Sequence, residues 1–147
     1  MSSRRYAREV ALQILYQLDV DQTPVETPLP ELTEMLKKHF EHFRIEADAR
    51  TFAAELVLGT RQRLPELDQE ISNRAAHWKL PRMAVIDRNL LRLGLFELRH
   101  YPDTPHRVTL DEAVELAKSF GSADTSSFVN AILDAAMKDL PLPGPLA

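Results

Sequence analysis

The sequence predicts an all-α protein, a single compact bundle of about seven helices. Apolar residues recur at steps of three and four over most of the 147-residue chain, a period that gathers them on one helical stripe. Ten prolines fall between the periodic stretches or at their edges and cut the chain into helix-length pieces. Residues Arg107 to Leu110 form the one β-prone run, and that run reads better as the entry to a helix.

The first helix is expected over about residues 4–20, where Ala7, Val10, Ala11, Ile14 and Leu18 share a stripe. A connector with Pro24, Pro28 and Pro30 follows. Pro30 suits the first position of the second helix, because its missing N–H would have no intrahelical partner there. Leu32, Met35, Leu36, Phe40 and Phe43 supply that helix's apolar face. Asp48 or a neighbour opens the third helix, with Phe52, Ala53, Leu56 and Val57 inward. Pro65 starts the fourth, which carries Leu67, Ile71 and Ala75.

Residues Trp78 to Pro81 read as a short break with Trp78 as a large buried anchor. The fifth helix, from about Pro81 to Arg99, is apolar around nearly its whole circumference, so it belongs at the centre of a bundle. Gly94 shares a stripe with Asp87, Leu91 and Leu98, and its missing side chain allows a close helix approach. Thr109 and Glu112 have capping-box spacing for the sixth helix. Gly121 ends that helix as a C′ glycine able to take positive φ, and Asp124 is a suitable N-cap for the seventh. There Val129, Ile132, Leu133 and Ala136 face inward.

Composition excludes several function classes. A hydrophobic share of 44% with 27% charged residues is an ordinary globular mix and argues against general disorder. The chain has no cysteine, which removes disulfides, thiolate metal sites and a cysteine nucleophile. Its four glycines stand too far apart for a phosphate-cradling loop. With no apolar run behind the first residues and none of membrane length, a soluble cytoplasmic protein is expected. His39 and His42 lie beside acidic residues, and Glu97-x-x-His100 is half of a di-iron signature, but neither set has the further ligands it needs. No catalytic, metal or cofactor residue is assigned, and the chain is not expected to be an enzyme.

The net charge of −4 hides an asymmetry. Arg4, Arg5 and Arg8 stand against Glu9 in the first ten residues, whereas residues 19–55 hold nine acidic and four basic side chains. A basic end on an acidic body can hold a polyanion locally. At about 100° per residue, Leu12 and Tyr16 fall on the outer side of the first helix, with Arg5 and Arg8. This outer face is a candidate partner surface, and burial under another helix is the alternative. A second surface surrounds the turn before the seventh helix, where Lys118, Asp124, neighbouring hydroxyls and the off-stripe ring of Phe128 could hold an unpaired base and its phosphate. Core packing is the alternative for Phe128.

Three segments carry a family resemblance. Residues Arg4 to Tyr16, with Arg4-Arg5-Tyr6-Ala7-Arg8-Glu9 at their head, resemble the first helix of the NusB family of bacterial transcription antitermination factors. Asp87-Arg88, Leu91-Arg92 and Phe96-Glu97-Leu98 resemble its central helix. Asp111-Glu112-Ala113 through Lys118, Phe120-Gly121 and Phe128-Val129-Asn130 are similar to its most characteristic segment. The resemblance spans about residues 4–138. It implies a NusB-like helical RNA-binding domain over residues 1–140; residues 141–147, proline-rich and unable to continue a helix, are expected to form a flexible tail.

The resemblance implies a factor that binds boxA-type single-stranded RNA together with ribosomal protein NusE. It would join an RNA polymerase antitermination complex and promote processive transcription of ribosomal RNA operons. RNA-binding residues carried over by position are Arg4, Arg5, Arg8, Asp124 and Phe128, to which Lys118 is added as a neighbour. Tyr16 and Asp87 are carried over as contacts to the protein partner, and Leu12 joins them from the outer-face reading. Asp87 requires the central helix to surface at its N-terminal end. Two serines precede Arg4, and Thr125, Ser126 and Ser127 stand where the family often has a basic residue. Fewer phosphate contacts imply weaker RNA binding by the protein alone. A homodimer through the Leu12–Tyr16 face, a pure protein adaptor, and an accessory domain of the kind fused to RNA cytosine methyltransferases are the alternatives. The last needs a downstream catalytic domain, which this sequence does not contain.

Overall fold

The structure is a computed structural model that describes residues 3–140, so the tail expected over 141–147 lies outside the described residues. Seven α-helices, one 3-10 turn and no strand occur among the described residues. The chain divides into two compact units, Met1–Leu64 and Pro65–Ala147.

The first unit holds α1 (Ser3–Val20), α2 (Leu29–His42) and α3 (Ala47–Gln62), with α1 and α2 each packed on α3. Seven apolar residues of α1 are buried, Leu12 and Leu15 among them. They cover an arc of about 200° at 100° per residue, wider than the single expected stripe. On α2 the buried set is Leu32, Leu36 and Phe40, whereas Met35 and Phe43 are exposed, contrary to expectation. The helix stops at His42, Arg44 turns the chain at φ 53°, and Ile45 fills the core in place of Phe43. Pro28 and Pro30 flank Leu29, the first helical residue, so Pro30 sits one position later than expected. Arg61 Nη2 donates to the carbonyls of Thr23 (2.9 Å) and Pro24 (3.0 Å) and ties the proline-rich connector to α3.

The second unit holds α4 (Leu64–Arg74, whose first residue is the last of the first unit), α5 (Val85–His100), α6 (His106–Phe120) and α7 (Thr125–Asp139). Helix α5 packs on α6 and α7, which also pack on each other. Every residue from Asn89 to Leu98 is buried, as expected of a helix apolar all round. A Cβ at Gly94 would stand 2.6 Å from Leu133 Cδ1, so the glycine does permit the close approach of α5 and α7. Arg92 makes a two-pronged bond from α5 to Asp68 on α4 (2.7 and 3.0 Å), the geometry in which an arginine–carboxylate pair is strongest.

Four local expectations need correction. Helix α5 begins at Val85 rather than Pro81, because Leu80–Arg82 forms a separate 3-10 turn and Met83 and Ala84 are extended. Trp78 is not a buried anchor: it is 60% exposed, and Met83 is buried from the same segment. Helix α6 starts at His106, so Thr109 lies inside it, where its buried hydroxyl donates to Glu97 Oε2 at 3.5 Å instead of capping. Gly121 has φ −100° and ψ −176°, extended backbone that any residue adopts, so left-handed freedom is not its role.

Candidate nucleic-acid interface

In the first unit, the arginines sit on the opening turns of α1. Arg4 and Arg5 are exposed, and the Arg4 guanidinium lies 4.2 Å from the centre of the Phe52 ring on α3. Arg8 is only 5% exposed, with its guanidinium 5.5 Å from the same ring. The outer-side expectation for Arg8 is therefore corrected: it is drawn onto the aromatic face, a favourable seat for a cation. Leu12, expected on an open face, is 1% exposed, because the apolar arc of α1 is wide enough to enclose it. Tyr16, one turn further along, is 41% exposed and keeps its place on an accessible surface.

In the second unit, a hydroxyl-centred knot shapes the turn before α7. Thr125 Oγ1 accepts the Ser122 N–H at 2.9 Å and donates to Asp87 Oδ1 at 2.8 Å. The second bond joins the first turn of α7 to the first turn of α5. Asp124 occupies the N-cap position but makes no side-chain capping bond, and its carboxylate is exposed. Asp87 is half-buried, so α5 does surface at its N-terminal end. Lys118 is exposed on the last turn of α6, with Nζ 3.5 Å from Glu115 Oε1.

Phe128 is half-buried and meets the exposed Trp78 ring edge to face, with 6.2 Å between ring centres. Trp78, Arg82, Asp87, Asp124 and Phe128 line a cavity of about 310 Å³. Trp78 and Arg82 are the residues that sequence reasoning missed. The signal available was a lone tryptophan in a non-helical break with Lys79 and Arg82 beside it, a setting in which a ring need not turn inward.

His39 titrates below its ordinary value because burial disfavours its charge and His42 repels it. No group of three or more histidine, aspartate or glutamate residues among the described residues is placed to hold a metal ion. No helix among them is long and apolar enough to cross a membrane.

Residues 5–138 match the model of the NusB family. The chain belongs to the NusB family. Transcription antitermination protein NusB of Citrifermentans bemidjiense is 44% identical over 135 residues, which cover 91% of this chain and 93% of the relative. The solved NusB of T. maritima is 34% identical, with a TM-score of 0.77 over 92% of this chain and 91% of that one. A solved complex of antitermination factors NusB and NusE with double-stranded RNA contains a chain 28% identical to this one. It aligns with a TM-score of 0.78 over 95% of this chain and 99% of that chain. The NusB-family match runs through both the arginine-bearing turns of α1 and the turn before α7.

Proposed function

We propose that the chain is a transcription antitermination factor that binds boxA-type RNA together with ribosomal protein NusE and promotes processive transcription of ribosomal RNA operons in the cytoplasm. The observation that carries this reading is the likeness, over 95% of the chain, to a solved protein in complex with NusE and RNA. The local chemistry agrees with it. Arg4 and Arg5 supply exposed positive charge for phosphates. Phe128 offers part of a ring on which a base can stack, and Lys118 adds a nearby cation. Asp124 marks the edge of this platform as an acceptor, so it favours base edges over phosphate. Arg8 serves by holding the start of α1 on Phe52. Tyr16 is the exposed contact for NusE, Leu12 one turn before it on α1 is buried and serves the core instead, and Asp87 is a second contact at the head of α5.

Fluorescence anisotropy with a labelled boxA-type RNA, single- or double-stranded, tests the proposal. NusE is expected to tighten binding of the single strand by at least tenfold. Phe128→Ala is expected to weaken it roughly 5- to 150-fold, the range for loss of one stacked base. Tyr16→Ala should remove the gain from NusE and leave binding by the protein alone intact. RNA binding that NusE does not improve would falsify the joint mode. Unchanged NusE binding without any RNA binding would identify a protein adaptor instead.

A further inference from the structure

The geometry points to the Trp78–Phe128 cavity as a pocket for one unstacked guanine base, with Trp78 as the stacking surface and Arg82 as the clamp on its phosphate. This rests on the RNA-binding reading above and extends it to two residues that the reading does not use. Trp78 is the sole tryptophan of the chain and is 60% exposed, although its indole is the largest apolar side chain available for a core. Contact with Phe128 across 71° fixes the two rings edge to face and leaves indole surface open. A cavity of about 310 Å³ lies at the small end of those that enclose a ligand, room for one base and not for a run.

Charge decides which part of a nucleotide enters. Asp124 and Asp87 line the cavity, and carboxylates repel phosphate. Arg82 is exposed and its guanidinium has no hydrogen bond or ion pair among the described residues, so it can hold a phosphate while the base points inward. Asp87 is half-buried and its Oδ1 is held by the Thr125 hydroxyl, whereas Asp124 is exposed and makes no capping bond, which makes it the more accessible reader. A carboxylate accepts hydrogen bonds and cannot donate them. Guanine presents adjacent N1–H and N2–H donors to one carboxylate, whereas uracil offers a single N–H between two carbonyls that the carboxylate repels.

Because Trp78 is the only tryptophan, its fluorescence reports this pocket alone. The full-length chain is titrated with uridine hexanucleotides carrying one central guanine, inosine or uracil, while anisotropy of an end label records total binding. The guanine probe is expected to quench the indole and bind at least fivefold tighter than all-uridine, with inosine, which lacks the 2-amino group, between them. Trp78→Ala should weaken the guanine probe roughly 5- to 150-fold, and Trp78→Phe should restore much of that loss. Arg82→Ala should weaken all three probes alike. Binding without quenching, or equal affinity for guanine and uracil, overturns the pocket and leaves the RNA-binding reading standing. Absence of binding by every probe, with NusE present, overturns both.

Discussion

Gly121 is constrained by crowding. A Cβ there would lie 2.5 Å from both Cβ and Cγ2 of Thr125 and 2.6 Å from its Oγ1. The sequence marks this glycine as a helix terminator but assigns it the wrong reason, because the approach of a side chain four residues on cannot be seen in a local pattern. Thr125 is likewise unremarkable in sequence, yet its hydroxyl holds Asp87 and the Ser122 N–H together. Thr125→Val keeps the shape and deletes both of these bonds together with the 3.1 Å contact to the Ser122 hydroxyl. It should cost about 2 kcal/mol in urea unfolding, the range for a hydrogen bond to a charged group. Gly121→Ala should cost at least as much, since the added methyl must push the same side chain away. A cost for Gly121→Ala below that for Thr125→Val would contradict the crowding argument. Phe128 shows the same limit of legibility: its off-stripe angle signalled partial exposure, but the Trp78 edge that props it depends on a non-helical segment whose path no periodicity encodes.

At the scale of elements, all seven helices were legible because each has its own apolar stripe and a proline or glycine near an end. Boundaries slipped where two signals competed. Pro81 suits a helix start, but the residues after it bury Met83 through an extended backbone, and α5 waits until Val85. Thr109 and Glu112 have capping spacing, yet Pro105 precedes a first turn that places Thr109 against Glu97. The ionic joints between helices were not legible, since they join residues far apart in sequence. On α4, Glu70 accepts Arg99 Nε from α5 at 2.6 Å and Arg74 Nε at 2.9 Å, while Arg74 Nη1 reaches Asp139 on α7 at 2.8 Å. Burial alone would raise the Glu70 carboxyl, but the bonds and charges of Arg99 and Arg74 outweigh it and hold the group below its ordinary value of about 4.5. A carboxyl lowered on folding adds stability that is complete above its unfolded value and is lost as pH falls through the folded one. Glu70→Gln should therefore destabilise the chain at pH 7, with the gap to the parent closing below pH 4.5 in urea titrations. A gap that stays constant down to pH 3 would mean that the carboxylate's charge contributes nothing to the joint.

For the whole molecule, a net charge of −4 means that any grip on RNA is local and opposed by the remaining surface. Each neutralised phosphate of a single strand contributes about 0.7 to the slope of log K against log salt. Three N-terminal arginines in sequence suggest three such contacts, but burial removes Arg8 from that set. Arg4, Arg5, Lys118 and Arg82 are exposed, and with one phosphate contact proposed for each the slope for the chain alone should be about −3. Arg5→Ala should flatten it by about 0.7 and weaken binding to all sequences alike. Arg8→Ala should leave the slope unchanged and instead lower stability, because it strips a buried cation from the Phe52 face. Anisotropy titrations from low to physiological salt measure the slopes, and urea unfolding of the two variants measures the stabilities. If Arg8→Ala flattened the slope as much as Arg5→Ala did, Arg8 would have to leave Phe52 when RNA binds, and the start of α1 would be a moving part of the interface rather than its fixed support.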